Sequence, residues 1–496
     1  MQKRLQRVEK IEWLGALIGL LFACLYLATL LPGLHEFGDI TKAQFLGRFL
    51  GMTHPTGYPL YILLTAPIAR LPWGDLAWRI NAFSAFCGAI SVYFLFRSSR
   101  RLGLSTSSSA LASLLFGISQ TPWSQFVIAE VYGLNAALFS IVIYLLLGWT
   151  TENRLKSFVG ACFVYSLAFG NHLTMVTLLP SFVVALFVGD YRRVFRPLPL
   201  MAILLSILLG ASQYAYLFWA SSSDSLYLEY RVRNFDQLIE FVSGERYRSL
   251  MFAFGWQDVI TQRLPLFARQ FWNDLGPILL LVPLGLLQLF QSNSPGRGKS
   301  FWVLFIASLG HLLWLTEYNI PDISVYAIPL LWLLCLFLAG AFELLIQRGP
   351  VLHGITIASV CVAAYFLIPG NYPHHKKAAR FEKSLARQLK RIDHDAALIS
   401  ALHYSHRMGY VYRLYADGLQ EERNLHLAYR ASPKKVAEYF RGKETLVDSH
   451  THERLPLGLR LYVDSRGARK KWGSALRLSP SRAGLREITL RKKKKK

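Results

Sequence analysis

Hydrophobic residues dominate the chain from residue 12 to residue 369, in runs separated by short polar stretches. A helix of about 20 apolar residues is long enough to cross the hydrocarbon core of a bilayer. The pattern therefore predicts a multi-pass membrane protein with about eleven spanning helices. The predicted spans are residues 12–32, 76–96, 105–120, 133–149, 157–170, 173–189, 198–219, 276–291, 301–316, 323–346 and 351–369.

The first apolar run is too long for the core of a signal peptide and has no clear small-x-small cleavage site, so we expect it to be retained. The next run, GYPLYILLTAPIARLP, is shorter and carries three prolines. Irregular or broken helices at a membrane are tolerated where protein or water satisfies the backbone. This run is predicted to be a re-entrant or interfacial segment.

Basic residues flank the predicted spans mainly on one side. The N-terminal MQKRLQRVEK predicts a cytoplasmic N-terminus, and RSSRRLG, TENRLK and DYRRVFR fall on the same side. The opposite, extracytoplasmic side then receives a first external loop at 33–75, a large external loop at 220–274 and the chain after 370. A bacterial inner membrane and an endoplasmic reticulum fit this orientation equally well.

Composition supports a membrane protein and locates its charge. The chain is 53% hydrophobic and 17% charged, which excludes a string of soluble domains. Its net charge is +25, of which +18 lies in residues 370–496. Next to a membrane, this basic tail favours contact with anionic lipid headgroups over nucleic acid, although a solvated end is also compatible. All five cysteines lie in apolar runs, without metal or redox spacing, so they are expected to pack in the core.

Two domains follow from this division of the chain. Residues 1–370 are predicted to form an all-α membrane domain. Residues 371–496 are predicted to form a small extramembrane α/β or α+β domain, because the amphipathic KAARFEKSLARQLKRIDHDAALISAL is followed by short mixed segments.

Five unusual polar clusters fall on the predicted extracytoplasmic side. Ionisable groups at membrane depth are costly and usually line a cavity or pair with one another. We therefore expect the clusters to converge on one outward-facing cavity. They are HEFGD (35–39), MTHPTGYP (52–59), TPWSQFVIAEVYGLN (121–135), GNHLT (170–174) and LTEYNIPD (315–322).

Five ionisable candidates, four in these clusters and Arg79 outside them, also have a structural interpretation. Asp39 is compatible with a solvated carboxylate or a helix cap. Glu130 is compatible with an ion pair, and His172 with a satisfied interface histidine. Asp322 follows a proline and favours the cap of the next helix. Arg79 is placed to snorkel to headgroups or to contact a lipid-linked phosphate.

One chemistry suits an outward cavity that combines a loop aspartate, basic groups and aromatic rings. Glycosyl transfer from a polyprenyl-phosphate sugar needs a membrane groove for the lipid and cations for the departing phosphate. It also needs a carboxylate base beside the acceptor hydroxyl. No single one of these features is diagnostic.

The order of the motifs carries a family resemblance. Fourteen residues separate Asp39 from HPTGYPLY, and WRIN (78–81), WSQFVIAEVYGLN (123–135) and GNHLT (170–174) follow. NFDQLIEFVSGERYR (234–248) and YNIPDISVYAIP (318–329) continue the likeness over residues 12–370. The chain resembles a family of multi-pass membrane proteins, formerly known only as a domain of unknown function. This family includes the vertebrate O-mannosyltransferase that acts on immunoglobulin-like domains of plexins and related receptors.

The resemblance implies a GT-C glycosyltransferase fold, a polyprenyl-phosphate-sugar donor such as a mannose donor, and a protein or glycan acceptor. It places Asp39 at the catalytic centre. A second acidic residue often follows three positions later in the family; here that residue is Lys42, so Glu36 would have to substitute. The substrate-binding candidates are Glu36, His54, Tyr58, Arg79, Asn81, Glu130, Tyr132, Asn135, Asn171, His172, Arg246, Tyr247 and Asp322.

The expected mechanism is a direct, inverting displacement. Asp39 takes the acceptor proton, and Arg79 with His54 or His172 stabilises the departing phosphate. Glu130 and Asn135 hold the sugar or shape the cavity, and the loop at 220–274 closes over the substrates through Arg246, Tyr247 and Arg248.

Two other classes of function remain open from sequence. A lipid or sugar transporter or flippase would use the same cavity with alternating access, but matching halves with broken spans are not apparent. A non-catalytic scaffold would use the basic outer domain alone. No cofactor other than the lipid-linked donor is expected. The sequence leaves a divalent-metal requirement open, although no dense carboxylate cluster points to a metal site.

Overall fold

The structure is a computed structural model that describes most of the chain. The described residues are 2–35, 39–291, 295–370, 374–392, 394–399, 404–428, 431–448, 454–464, 476–480 and 485–490. Helices account for nearly all regular structure before residue 390, and strands appear only after it.

Nineteen α-helices precede residue 371 in the described chain. They are α1 Gln2–Ala28, α2 Ile40–Phe49, α3 Pro59–Ala69, α4 Leu76–Arg101, α5 Thr106–Ile118, α6 Gln120–Phe126, α7 Val131–Glu152, α8 Leu155–Ala168, α9 Leu179–Val188, α10 Tyr191–Val194, α11 Pro197–Ser212, α12 Ala215–Ser222, α13 Phe235–Ser243, α14 Trp256–Asp258, α15 Leu264–Leu275, α16 Val282–Phe290, α17 Pro295–Glu317, α18 Ile328–Gln347 and α19 Pro350–Gly370. Short 3-10 turns at Leu173–Leu178, Glu245–Leu250, Gly276–Leu281 and Ile323–Ala327 and a π turn at Val259–Arg263 connect them.

Seven helical segments within the described residues are long and apolar enough to cross a membrane. They are Leu76–Arg101, Val131–Glu152, Pro197–Ser222, Trp256–Phe290, Gly296–Glu317, Ile323–Gln347 and Pro350–Ile368. Five shorter apolar helices are Trp13–Ala28, Pro59–Ala69, Thr106–Ile118, Leu155–Ala168 and Leu173–Val188. Each predicted span overlaps one of these segments, and the segment expected to be re-entrant is Pro59–Ala69. The multi-pass, all-helical membrane domain is confirmed, whereas the count of eleven crossings stays a prediction.

The packing of the spans separates a core from a lipid-facing shell. The spans that contain α4, α7 and α18 are 72%, 72% and 83% buried, whereas Pro350–Ile368 is 11% buried. A helix that is apolar all round can be buried on every side or can face lipid. Here α4 and α7 form the centre, and α19 presents its apolar side chains outward.

The chain after α19 forms a small mixed α/β unit, as the sequence predicts. Its elements are α20 His374–Leu389, β1 Ala396–Ile399, α21 Tyr404–Val411, the π turn Tyr412–Ala416, α22 Leu419–Arg423, β2 Leu425–Leu427, α23 Pro433–Phe440, β3 Arg460–Asp464, β4 Leu476–Leu478 and β5 Leu485–Leu490. The strand order is β2-β1-β3-β5-β4, with β1 parallel to both its neighbours and β5 antiparallel to both of its own.

The first external loop contains two helices that bring its polar residues together. Helix α2 begins directly after Asp39 and ends at Leu50, which has a left-handed backbone (φ 49°). Helix α3 is too short to cross a membrane, at 11 residues, and packs against α2 and α4. The turn between α2 and α3 carries His54 and Tyr58, so the functional candidates of this loop lie on a folded support.

Candidate active site

A cavity of about 450 Å³ lies where the loops between the helices meet. All five polar clusters contribute to its wall, and the large external loop supplies a sixth segment. The convergence expected from the sequence is therefore present in the structure. The charged and aromatic lining residues are Asp39, Lys42, His54, Tyr58, Tyr61, Glu130, Tyr132, His172, Tyr247, Trp314, Tyr318, Asp322 and Tyr326.

Asp39 is held by cations on both of its carboxylate oxygens. Oδ1 lies 3.0 Å from Nζ of Lys42, and Oδ2 lies 2.7 Å from Nε2 of His54. Asp39 occupies the cap position of α2, but its side chain makes no cap hydrogen bond. The structural interpretation of Asp39 as a helix cap is therefore wrong, and the carboxylate instead faces the cavity.

The cations beside Asp39 determine its protonation state. Burial raises the pKa of Asp39, but the hydrogen bond from His54 and the charges of Lys42 and His54 outweigh burial. The pKa of this carboxyl therefore lies well below its usual range. Asp39 is ionised at every pH at which the protein is expected to work.

Lys42 is part of the site rather than a departure that weakens it. Its side chain is 2% exposed, and its Nζ also lies 3.3 Å from Oε1 of Glu229. Glu229 reaches it because residue 52 pairs with the backbone around residue 228: the amide of Met52 donates to Tyr227 O (2.8 Å), and that of Glu229 donates to Met52 O (2.9 Å). A buried ammonium needs such partners, since an unpaired buried charge is strongly unfavourable.

The HPTGYP stretch folds into a tight turn that orients two rings. The amide of Gly57 donates to His54 O (2.8 Å), and Gly57 has a φ of +83°. A Cβ at Gly57 would lie 2.8 Å from Leu217 and 2.9 Å from Phe241, so glycine is required for both conformation and space. Tyr58 follows with φ 49°. Its ring packs edge-on against His54 with 5.3 Å between ring centroids.

His172 provides a neutral ring on the other side of Tyr58. The two rings are nearly parallel, with an 8° interplanar angle and 6.1 Å between centroids. The Thr174 amide donates to Nδ1 of His172 (3.3 Å), which places the proton of the neutral ring on Nε2. Burial, reinforced by the charge of His54, lowers the pKa of His172 to about 3. His172 can therefore donate one hydrogen bond but carries no charge at neutral pH.

The pKa of Glu130 is shifted in the opposite direction from that of Asp39. It precedes α7, and its side chain forms no cap hydrogen bond. Burial and the nearby charge of Asp39 raise the pKa of Glu130 to about 8, although Lys42 opposes the shift. The expected ion pair of Glu130 with an arginine or histidine is not present among the described residues. The cavity thus combines one ionised and one protonated carboxyl group.

The far wall of the cavity is aromatic and carries a third carboxylate. Tyr132 and Tyr326 lie 5.6 Å apart by ring centroids, and the Tyr326 ring packs edge-on against His172 at 5.1 Å. The Tyr132 hydroxyl donates to Oδ2 of Asp322 (3.4 Å). Asp322 precedes the 3-10 turn at 323–327, but its side chain makes no cap hydrogen bond. Its expected capping role is therefore wrong.

The large external loop meets the cavity through one turn. Tyr247 lines the cavity, and its ring centroid lies 6.5 Å from that of His54. The amide of Asn319 donates to Leu250 O (2.8 Å), which fixes this turn against the segment after α17. Arg246 and Arg248 are exposed and lie outside the cavity lining, with Arg248 3.7 Å from Glu245.

Arg79 lies outside the cavity and is held by main-chain oxygens. Its guanidinium donates to Trp73 O (2.6 Å), Gly74 O (2.9 Å) and Ala69 O (3.1 Å). These bonds stabilise the end of α3 and the turn before α4. The expected contact of Arg79 with the donor phosphate is wrong, because the guanidinium is already hydrogen-bonded to carbonyl oxygens of this turn.

Three candidate asparagines lie outside the cavity lining, and two of them bond to its wall. Oδ1 of Asn81 accepts hydrogen bonds from the amide of Ala129 (2.8 Å) and from Gln44 (3.1 Å). Nδ2 of Asn171 donates to Val131 O (3.1 Å). Asn135 is buried in α7, outside the lining residues. Asn81 and Asn171 position residues 129–131, and none of the three asparagines lines the cavity. Glu36 lies outside the described residues.

Several functional candidates were missed by sequence reasoning. Lys42 and Glu229 form the ion pairs described above. The spacing of Lys42 three residues after Asp39 could have indicated an ion pair on α2, whereas no local signal links Glu229 to it. Four buried polar atoms of lining residues also have no hydrogen-bond partner among the described residues, which indicates room for a polar ligand. They are Thr53 Oγ1, Thr56 Oγ1, Tyr61 OH and Trp314 Nε1.

The described residues contain no group of three or more His, Cys, Asp or Glu side chains that could hold a metal ion. Asp39 is instead paired with Lys42 and His54, and Asp322 accepts a hydrogen bond from Tyr132. A divalent-metal requirement therefore stays untested.

Comparisons of sequence find relatives for part of the chain. A family model for the protein O-mannosyl-transferase TMEM260 N-terminal domain matches residues 45–194. Mouse (Mus musculus) protein O-mannosyl-transferase TMEM260 is 34% identical over 116 residues, which are 23% of this chain and 16% of the mouse protein. The family resemblance that the motifs indicate is confirmed over this segment.

Comparison of structures covers nearly the whole chain. The crystal structure of ArnT from Cupriavidus metallidurans bound to undecaprenyl phosphate superimposes with a TM-score of 0.63 over 96% of this chain and 97% of that chain. The apo structure of the same protein gives a TM-score of 0.59. Sequence identity is 11% in both cases, so the likeness concerns the fold. The predicted GT-C-like fold with a small C-terminal extramembrane unit is confirmed.

Proposed function

We propose that the chain is a membrane glycosyltransferase of the GT-C type. It transfers a sugar, with mannose as the first candidate, from a polyprenyl-phosphate donor to a protein or glycan acceptor on the extracytoplasmic face. The observation that carries the proposal is the ionised Asp39, held between Lys42 and His54 on the wall of an aromatic cavity inside a multi-pass membrane domain.

A lipid-linked sugar fits the chemistry of this cavity. The named relative is an O-mannosyl-transferase, and a structural neighbour was crystallised with undecaprenyl phosphate. Tyrosine and histidine rings offer flat faces for a sugar ring. The unpartnered polar atoms of Thr53, Thr56 and Tyr61 offer hydrogen bonds to its hydroxyls. The apolar helices around the site provide a path for the polyprenyl tail.

Asp39 acts on the acceptor. The acceptor oxygen attacks the anomeric carbon while its proton passes to a carboxylate oxygen of Asp39. The bond from the anomeric carbon to the phosphate oxygen breaks at the same time, and the phosphate leaves with the bonding electron pair. Attack opposite the leaving group inverts the anomeric configuration. Since cations keep Asp39 ionised, no prior deprotonation is needed, and the acceptor hydroxyl exchanges with one of its present partners.

The departing phosphate needs positive charge near Asp39. His54 lies on the cavity side of Asp39, and both of its ring nitrogens face oxygen acceptors: Nε2 faces Asp39, and Nδ1 faces Pro55 O at 3.0 Å. Arg246 lies next to Tyr247 in the large external loop and is exposed, so it can approach a phosphate when the loop closes.

The sugar lies against the remaining wall in this proposal. Protonated Glu130 donates a hydrogen bond, and Asp322 accepts one from a sugar hydroxyl. Tyr58, Tyr132 and Tyr247 pack against the ring. The basic C-terminal tail is proposed to meet anionic headgroups, as the sequence indicates.

Substitution of Asp39 by asparagine tests this function. Purified full-length protein in nanodiscs is given radiolabelled polyprenyl-phosphate mannose and a native membrane extract as the acceptor. The Asp39→Asn variant keeps the shape of the side chain but loses the base, so transfer falls by about 10²- to 10⁴-fold. The matched control is Asp224→Asn, on an exposed aspartate of the external loop outside the cavity lining, which keeps full activity. Full turnover by a folded Asp39→Asn variant would remove Asp39 from the chemistry.

A further inference from the structure

The C-terminal domain packs directly against the first external loop. Buried apolar side chains from both form one continuous cluster. A shared core of this kind restricts how far either part moves independently. Its members from α20, α21 and the following π turn include Phe381, Leu385, Met408, Tyr410 and Tyr412, and those from the first external loop include Leu34, Ala43, Phe45 and Leu46.

Glu382 of α20 makes the polar contact in this interface. Its Oε1 accepts a hydrogen bond from the amide of Leu34 (2.9 Å) and lies 3.3 Å from the Arg413 guanidinium. The residue before Leu34 is Gly33, where a Cβ would overlap the Glu382 carboxylate. The main chain at 33–34 is therefore shaped to receive this one carboxylate.

Hydrogen bonds connect the main chain on both sides of Leu34 to α2. The hydroxyl of Thr41 donates to His35 O (2.9 Å), and the amide of His35 lies 3.3 Å from the same Thr41 oxygen. The Gln44 side chain donates to Gly33 O (3.1 Å). Thr41 and Gln44 belong to α2, whose cap residue is Asp39. Any displacement of residues 33–35 would therefore reach Asp39.

A second contact links the same domain, through α4, to the segment that precedes Glu130. The Tyr412 hydroxyl accepts a hydrogen bond from the amide of Ala77 (2.9 Å) in the first turn of α4. One turn later on α4, Asn81 accepts the amide of Ala129, the residue before Glu130. The segments that carry Asp39 and Glu130 are thus both linked to the C-terminal domain through hydrogen bonds to main-chain amides.

We infer that Glu382 is a positioning residue, through which the C-terminal domain fixes the main chain at 33–35 and thereby the placement of Asp39. Glu382 is outside the cavity lining. The predicted effect of Glu382 on turnover rests on the proposed glycosyl transfer. Its predicted effect on the main chain at 33–35 does not depend on that proposal.

The test combines hydrogen exchange with kinetics on the full chain in nanodiscs. In Glu382→Ala, amides in peptides that cover residues 31–47 exchange faster, because the contact that holds Leu34 is lost. The kcat of transfer falls roughly 10- to 100-fold, because Asp39 is displaced, while KM for the donor stays near the wild-type value. Glu382→Gln retains an oxygen for Leu34 and restores most of both properties. Gly33→Ala reproduces the defect without any change in the C-terminal domain.

Glu421→Ala serves as the control, since Glu421 is an exposed acid on α22 of the same domain. Unchanged exchange over residues 31–47 in Glu382→Ala and in Gly33→Ala would overturn the inference, whatever the activity. Faster exchange with wild-type kcat would overturn it as well. If the wild-type protein transfers no sugar, the proposed function fails, and the exchange data alone still decide whether Glu382 positions the loop.

Discussion

At the scale of single residues, Asp39 and Glu130 share a cavity but differ in protonation because their neighbours differ. Asp39 has an ammonium and an imidazole within 3.0 Å. Glu130 is buried and lies near the negative charge of Asp39, and both raise its pKa. Environments that separate the pKa values of two carboxyl groups assign them different roles. Asp39 is suited to accept a proton, and Glu130 is suited to donate a hydrogen bond to the sugar.

The pH dependence of transfer should report the loss of the Glu130 proton. Its pKa of about 8 means that it is mostly protonated at pH 7 and loses its proton as the pH rises through 8. Wild-type activity therefore declines above about pH 8, because a second anion next to Asp39 replaces the hydrogen-bond donor. Glu130→Gln imitates the protonated form, so its activity at pH 7 changes only about threefold or less and the alkaline decline disappears.

The measurement is initial transfer rate between pH 6 and pH 10, with Glu240→Gln as a control for an exposed glutamate of the external loop. An identical alkaline decline in wild type and Glu130→Gln would show that another group is responsible.

The sequence indicated the residues whose chemistry is local, but not those whose role depends on distant neighbours. Asp39, His54, Tyr58, Glu130 and His172 were predicted, and they line one cavity. Pairing of Lys42 with Glu229 joins positions 187 apart in the chain, which no local pattern encodes. Arg79 was misassigned because its partners are backbone carbonyls. Every residue has such a carbonyl, so no residue type in the sequence marks these partners.

At the scale of elements, the turn between α2 and α3 determines where two cavity rings lie. Gly57 has a left-handed backbone, and its missing side chain leaves room for Leu217 and Phe241. Both neighbours are almost fully buried, at 0% and 2% exposure, so they have little freedom to move aside. The turn is thereby fixed against α12 and α13.

Gly57→Ala should weaken both the fold and the activity. A β-carbon in the left-handed region costs about 1–2 kcal/mol, and the overlap with Leu217 and Phe241 adds to this. We expect a lower thermal unfolding midpoint and a loss of transfer, because His54 and Tyr58 shift. The matched control is Gly74→Ala, at φ +69° with no atom within 4 Å of an added Cβ, which bears the conformational cost alone. Equal losses in the two variants would contradict the packing argument.

Apolar runs predicted the helices well, but not the way in which several of them begin. The segments 173–178, 276–281 and 323–327 are 3-10 turns, each followed by an α-helix with a proline in its first turn. Proline lacks an amide hydrogen and is favoured at such starts. The hydropathy pattern treats these turns as parts of one span, because 3-10 and α geometry use the same apolar side chains.

At the scale of the whole molecule, loops from distant parts of the chain form one cavity, and a folded C-terminal domain packs against the first external loop. The cavity draws on residues 39–61, 130–132, 172–174, 244–251 and 314–326. The sequence predicted this convergence because basic flanks placed the clusters on one side. The contact of the C-terminal domain with residue 34 depends on tertiary packing and was not foreseen.

The orientation in the membrane can be tested with single cysteines in a cysteine-free background. Asp224→Cys lies in the large external loop and should react with an impermeant maleimide from outside intact cells. Arg192→Cys lies in a basic flank, DYRRVFR, and should react only after permeabilisation. Both wild-type positions are exposed. The reverse labelling pattern would place the cavity on the cytosolic side and would contradict an extracytoplasmic reaction.

The most direct measurement is a cryo-electron microscopy map of the full chain in nanodiscs that contain polyprenyl phosphate. The account predicts density for the phosphate inside the cavity, within about 4 Å of His54, with the lipid tail leaving between apolar helices. Lipid density only on the outer surface, with the cavity beside Asp39 filled by water alone, would contradict it.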